Sequence, residues 1–283
     1  MMPSLTNVVL DPIVLGALAE DLASGDVTTD ACIAADARAR ADARARSEIV
    51  VCGGPIFSRI FALVDASVRF VAKLEDGAIA KAGDVIWTVE GSARSLLMAE
   101  RTALNFVQRM SGIATTTRAY VAAVPKGCAT RIIDTRKTTP GLRVLERYAV
   151  RAGGGMNHRD NLGSAVLIKD NHVAACGGIR EAITRARAHA PHTSKIECEV
   201  DSLAQLDEAL AAGADIVLLD NMSTADVIEA VRRSKSKAFT EASGGITLAR
   251  VAELAKAGVD AISVGALTHS ITSADIGLDF RDA

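Results

Sequence analysis

Residues 203–220 read LAQLDEALAAGADIVLLD, and residues 248–265 read LARVAELAKAGVDAISVG. Each opens with apolar residues at helical spacing: Leu203, Leu206 and Leu210 in the first, Leu248, Val251 and Leu254 in the second. Each then meets an Ala-Gly pair, a frequent stop signal for a helix, and passes into a short, nearly unbroken apolar run. Such runs suit strands buried on both faces, as parallel strands are. Helix then strand, repeated, predicts an α/β protein with helices packed outside a parallel sheet.

Working outward, the same alternation fills the chain from residue 125 to residue 270. Strands are expected at 131–134, 165–169, 196–200, 216–219, 238–241 and 261–264, each trailed by helical sequence. A full eightfold barrel takes ~250 residues, more than this segment holds, so an incomplete α/β barrel of about six strands is expected. No G-x-G-x-x-G follows the first strand, which argues against a dinucleotide fold. Residues 1–124 read as a small α+β domain. The run ARARADARAR at 37–46 contains good helix formers, but its strict alternation favours a strand with one charged, solvated face. A helix is expected at 56–64, and strands at 68–74 and 85–89, with turns at Asp76-Gly77 and Gly83. A long helix over 94–124 is expected to break near Ser111-Gly112. The tail, 271–283, is free to pack back on this first domain.

Composition narrows the function classes. A net charge of −2 gives no bulk attraction to nucleic acid or anionic lipid. The five cysteines, Cys32, Cys52, Cys128, Cys176 and Cys198, form no C-x-x-C pair, which speaks for free thiols rather than a zinc site. No apolar run is long enough to span a membrane and no signal peptide is evident, so a cytoplasmic protein is expected.

Polar residues stand at the C-terminal end of nearly every expected barrel strand, the face where parallel α/β folds build their sites. They are Asp134, Arg136 and Lys137; Lys169 and Asp170; Glu197 and Glu199; Asp220 and Asn221; Glu241 and Ser243; and finally Gly265. Helix capping explains one such residue, but not the whole succession. Arg136, Lys137, His158, Arg159 and Lys169 crowd the first two strand ends, and cations in one mouth imply a polyanionic ligand. A lone histidine is more often structural, yet His158 sits beside Arg159 in the glycine-rich run RAGGGMNHRDN, expected to loop over the strand ends. Glu199 and Asp220 suit a hard divalent cation such as Mg2+ carried by phosphates. The turns at Ser243-Gly244-Gly245 and Gly265 could cradle a phosphate through backbone N–H groups.

The run DTRKTTPGLRVLERYAVRAGGGMNHRDNLGSAVLIKDNH, from Asp134 to His172, closely resembles the signature of the quinolinate phosphoribosyltransferases. EDLASGDVTT, AERTALNFVQRMSGIAT and the stretches 197–221 and 241–270 resemble them as well, so the likeness covers residues 15–270. The resemblance implies an N-terminal α/β sandwich, a C-terminal incomplete barrel, and a homodimer or higher oligomer with sites shared between subunits. It implies transfer of phosphoribose from phosphoribosyl pyrophosphate to quinolinate with decarboxylation, in NAD biosynthesis. Arg136, His158, Arg159 and Lys169 would hold quinolinate, with Arg101 reaching in from the other subunit. Lys137, Glu199 and Asp220 would serve phosphoribosyl pyrophosphate and Mg2+, and Ser243, Gly244, Gly245 and Gly265 the 5-phosphate. Thr135 falls with the substrate-binding residues, and Lys137, Lys169, Glu199 and Asp220 form the catalytic set. Asn161 and Ser164 stand where many members carry Gly and Asp, which bears on substrate geometry rather than on reaction class.

Rival readings remain at this level. One is a sister phosphoribosyltransferase acting on another anionic ring such as nicotinate. Another, of a different class, is a Schiff-base aldolase using Lys169. A third is a non-catalytic phosphate-binding module, which leaves the carboxylates unexplained.

Overall fold

The computed structural model describes residues 5–282, with the backbone alone at Asp282. In chain order the strands are β1 (Arg38–Ala45), β2 (Ile49–Val50), β3 (Arg69–Ala72), β4 (Ile79–Ala80), β5 (Val85–Ser92), β6 (Arg131–Ile133), β7 (Val166–Ile168), β8 (Ile196–Val200), β9 (Ile216–Asp220), β10 (Phe239–Ser243), β11 (Ala261–Ser263) and β12 (Ile276–Asp282). Two compact units divide the chain. One takes the residues up to Arg118, Thr138–Gly154 and the C-terminal segment from Ser270. The other takes Ala119–Lys137 and Gly155–His269.

The first unit is built on an antiparallel sheet in the order β12-β1-β5-β3. The alternation in β1 does what its period dictates: Ala39, Ala41, Ala43 and Ala45 are buried on one face. The opposite face is not simply solvated. Asp42 is buried there, accepts a hydrogen bond from Thr88 at 2.8 Å, and pairs with Arg44 at 3.2 Å and Arg281 at 2.9 Å. Part of the arginine stripe therefore neutralises a buried carboxylate, which an unpaired position could not tolerate. Most of the chain's few aromatics lie in the same unit, where Phe57 packs against Phe61, Phe70 and Trp87 at 4.8–6.2 Å between ring centroids.

The long helix runs from Ala93 to Ala122 without the expected break at Ser111-Gly112. Both residues serve packing. The buried Ser111 hydroxyl accepts from Cys52 N–H and donates to Cys52 C=O, at 3.0 and 3.1 Å. A Cβ on Gly112 would stand 2.3 Å from the Thr272 carbonyl oxygen. The C-terminal segment thus lies directly on the helix at Gly112, and Ala274 N–H donates to Gln108 C=O nearby. The glycine-rich run at 151–161 forms the expected loop only from Gly153 onward. Arg151 and Ala152 finish the helix Arg143–Ala152, and a Cβ on Gly153 would stand 2.5 Å from the Ala114 carbonyl oxygen. That glycine too lets two backbones touch.

The second unit holds the six parallel strands that the sequence predicts. Their order is β6-β11-β10-β9-β8-β7. Taken in sequence this is first, sixth, fifth, fourth, third, second: a circular order opened between the first and second strands. At that opening Met156 makes a single parallel bridge to Ile133. The intervening helices start and stop as their sequences direct. Ser202 and Ser223 accept from the N–H groups of Gln205 and Asp226, and Gly258 ends its helix at φ 90°. Among the described residues no helix is long and apolar enough to cross a membrane.

Gly112→Ala gains helix propensity but meets the Thr272 carbonyl. With overpacking at ~1–3 kcal/mol and a propensity gain of up to ~1, a net loss of about 1–2 kcal/mol is expected. Urea unfolding measures it; an unchanged or raised midpoint contradicts the close-packing reading.

Candidate active site

Because the six strands are parallel, their C-terminal ends open on one mouth, and a cavity of about 800 Å³ lies there. All twelve residues assigned to it from the second unit line this cavity. Thr135, Arg136 and Lys137 follow β6; His158 and Arg159 follow the Met156 bridge; Lys169 follows β7. Glu199 and Asp220 come from the ends of β8 and β9, Ser243-Gly244-Gly245 from the end of β10, and Gly265 from just beyond β11. Arg101 does not join them. It is exposed on the helix Ala93–Ala122.

His158 is held from every side. Its N–H donates to Asp134 at 2.7 Å, and Asn157 donates to the other oxygen of that buried carboxylate at 2.6 Å. Arg159 N–H donates to His158 Nδ1 at 2.7 Å, which directs the ring proton to Nε2. That atom faces Glu197 at 3.2 Å and Glu241 at 3.6 Å. Burial is the largest single influence on His158 and disfavours its charge. Glu197, Glu241 and Asp134 together outweigh it and raise the proton affinity. Arg159 is affected oppositely: burial first, then the Arg136 guanidinium, lower its proton affinity. Two guanidinium groups crowded at one wall make a place for an anion.

Lys169 Nζ lies 3.1 Å from Glu199 Oε2. Asp220 Oδ2 accepts from the Asn221 amide at 2.8 Å. Gly244 and Gly245 have φ of 85° and 56°, and the helix Leu248–Ala257 begins just after them. The backbone N–H groups of a glycine turn and a helix N-terminus come together there. A Cβ on Gly265 would stand 3.0 Å from His269 Nε2 and 3.1 Å from Lys137 Cδ. Thr268 Oγ1 donates to Lys137 C=O at 2.7 Å, fixing the base of that lysine.

Cavity residues without a role assigned from sequence include Asn221, Glu241 and His269, and Glu197, buried against His158, has none either. Glu197 is two positions before Glu199 on β8, so strand period alone puts both on one face. Asn221 directly follows β9, and Glu241, expected at a strand end, lies in the middle of β10; neither carries a family role in the sequence reading. His269 has only its place in ALTHS, four residues after Gly265.

The Glu197–Glu241 proximity has a consequence for pH. Burial first, and the Glu197 charge second, push the Glu241 carboxyl up from its ordinary 4.5 to about 7. Between those values the folded chain binds more protons than the unfolded one, so this group's contribution to stability falls as pH rises. Glu241→Gln cannot ionise. Its stability relative to the unmodified chain should therefore improve as pH rises from 5 to about 7 and then level off. Thermal midpoints of the two proteins across that range test this; a constant difference contradicts it.

Comparison with known proteins bears on the same residues. The model of the quinolinate phosphoribosyl transferase C-terminal domain matches residues 113–279, and that of the N-terminal domain matches residues 26–111. The chain is 47% identical over 271 residues to the Mycobacterium leprae nicotinate-nucleotide pyrophosphorylase (carboxylating), covering 93% of this chain and 94% of that one. It is 45% identical over 260 residues to the probable nicotinate-nucleotide pyrophosphorylase (carboxylating) of Bacillus subtilis, covering 92% and 89%. The solved structure of the nicotinate-nucleotide pyrophosphorylase from Francisella tularensis superposes with a TM-score of 0.94 at 39% identity, covering 98% of each chain. With both domain models matched in order and identity sustained over nearly the whole length, the chain belongs to the quinolinate phosphoribosyltransferase family, the decarboxylating enzymes of NAD biosynthesis.

Proposed function

We infer that the mouth of the six-stranded sheet is where this chain transfers phosphoribose from phosphoribosyl pyrophosphate to quinolinate, releasing pyrophosphate and CO2 and leaving nicotinate mononucleotide. The observation that carries the reading is one cavity in which Arg136, His158, Arg159 and Lys169 face Glu199, Asp220 and two glycine turns. A dianionic ring needs the cations; a sugar bearing a phosphate and a diphosphate needs the rest.

Arg136, His158, Arg159 and Lys169 hold the two carboxylates of quinolinate. Guanidinium forks fix the ring plane, so the pyridine nitrogen points at the ribose carbon that loses pyrophosphate. Thr135 lies at the same strand end. The backbone of Ser243–Gly245 and Gly265 holds the 5-phosphate, and Lys137 stabilises the departing diphosphate oxygens. As the C–O bond breaks, positive charge grows on the sugar and Glu199 and Asp220 stabilise it. The donor set on β8 and β9 is all oxygen, which fits Mg2+. Glu199 and Asp220 would hold the ion, and it would supply charge neutralisation at the diphosphate. Once nitrogen is bonded to ribose, the cationic ring accepts the electron pair as the neighbouring carboxylate leaves as CO2. A proton from water then takes that place on the ring carbon, and no residue is assigned as a general base.

The assembly belongs to the same reading. The family resemblance supports a homodimer in which Arg101 of the partner subunit completes each clamp, and the exposure of Arg101 on the long helix is consistent with such reach. Two arginines and two glycine turns around Lys169 in one cavity favour this reading over a Schiff-base aldolase, which leaves them without a task.

Substrate choice tests the clamp. Losing one charge-assisted carboxylate contact costs roughly 2–3 kcal/mol, so nicotinate should be used about two orders of magnitude less efficiently than quinolinate. Product analysis with each ring, Mg2+ and phosphoribosyl pyrophosphate gives the answer; equal turnover sinks the assignment. Subunit mixing tests the sharing. Arg101→Ala and Lys169→Ala homodimers should each be nearly inactive. Random exchange makes half of the dimers mixed, each with one intact and one doubly damaged site, so roughly a quarter of all sites should recover. Verified heterodimers without recovered activity place Arg101 outside the shared site.

A further inference from the structure

The end of β9 carries a constraint that the proposed division of roles leaves unused. Asn221 directly follows Asp220 and has φ 54°, a left-handed conformation that Asn tolerates better than most residues with a Cβ. Its N–H donates to Ser243 C=O at 3.0 Å, tying the end of β9 to the end of β10. Its side chain does two further things. Nδ2 donates to Asp220 Oδ2 at 2.8 Å, fixing one oxygen of that carboxylate. The same amide fills the space beside Gly244, where a Cβ would lie 2.3 Å from Asn221 Oδ1 and 2.4 Å from Cγ. One side chain thus touches the carboxylate of β9 and the glycine turn of β10, and all three line the cavity.

We propose that Asn221 is a positioning residue that locks the Asp220 carboxylate to the Ser243–Gly245 turn, so that the ribose end and the 5-phosphate end of phosphoribosyl pyrophosphate are held at a fixed separation. The proposal rests on the assignment of Asp220 and the glycine turn to that substrate. Its logic is geometric. The substrate is long and flexible, and its two ends are gripped by different strands. A rigid strut between the grips lowers the ordering cost of binding. The strut acts on the phosphoribosyl donor and not on the cation clamp for the ring, because the contacts of the Asn221 amide run to Asp220 and Gly244.

The alternative is that asparagine stands there only because the turn needs a left-handed residue. Asn221→Gly separates the two, since glycine meets the backbone requirement better and lacks the amide. The expected result is a KM for phosphoribosyl pyrophosphate raised about tenfold or more, a KM for quinolinate within about twofold, and an unchanged or higher thermal midpoint. Asn221→Asp keeps the shape but sets a carboxylate against Asp220. It should raise the same KM and gives the reading if the glycine variant is too unstable to assay. A sterically defined check accompanies them. Gly244→Ala should destabilise the unmodified chain more than the Asn221→Gly variant, because the left-handed strain is common to both and only the clash with the amide differs. An unaltered KM for phosphoribosyl pyrophosphate in Asn221→Gly overturns the proposal, as does Gly244→Ala having the same effect in both backgrounds. Asp220→Ala identifies which reading has failed. If it raises that KM while Asn221→Gly does not, only the strut is wrong; if neither moves it, the assignment of Asp220 to this substrate falls as well.

Discussion

Parallel pairing is the constraint on which the rest depends. A strand in a parallel sheet must hydrogen-bond to neighbours running the same way, so every strand of the second unit delivers its C-terminal end to one side. Residues as far apart in sequence as Arg136 and Gly265 therefore meet at one mouth, with no contact between them required to bring them there. The break in the circular order between β6 and β7 matters equally. At that opening the chain inserts Met156 as a single bridge, then turns His158 and Arg159 into the cavity. The gap in the barrel is the entry point of two of the four residues proposed to hold the ring.

Charge organises the mouth into levels. Asp134, Glu197 and Glu241 are buried, and they surround His158. Such a group of carboxylates cannot all ionise cheaply in a poorly solvated place, and burial with the Glu197 charge pushes the Glu241 carboxyl up to about 7. Around the rim, Arg136, Lys137, Arg159 and Lys169 line the cavity together with Glu199 and Asp220 from the ends of β8 and β9. The buried carboxylates balance part of the cationic charge, while the rim remains fit for anions. A histidine between the two levels couples them through Nε2 and through the Arg159 N–H on Nδ1.

Much of this was legible in the sequence, for definable reasons. The six strands could be read because buried parallel strands are apolar runs with turn signals at both ends, and the polar residues at their ends marked the mouth. The first sheet could be read from the two-residue period of ARARADARAR. Other features could not, because one residue type answers different needs. Glycine at Gly112 suggested a broken helix, yet the backbone of Thr272 lies against it. Gly153 suggested a loop and instead ends a helix against Ala114. Aspartate within an arginine stripe suggested solvated charge, yet Asp42 is buried and paired. In each case at least one partner lies more than thirty residues away in sequence, Thr88 and Arg281 for Asp42, where no local pattern reports it.

The same ambiguity explains why Asn221 and Glu241 were read as polar strand-end residues without a role of their own. Asp-Asn after an apolar run is an ordinary strand end, and local chemistry accounts for it as turn or cap. What makes Asn221 distinctive is Gly244, which lies on the next strand over and is itself an ordinary turn glycine. Each residue is unremarkable alone; the information is in the 2.3 Å that a Cβ would have to share with the Asn221 amide. Glu241 is likewise an ordinary strand carboxylate until β8 brings Glu197 near it and the Met156 bridge brings His158. Sequence fixes where residues with chemistry stand along each strand. Which of them act on each other is decided by strand order, and that order follows from the closure of the sheet as a whole.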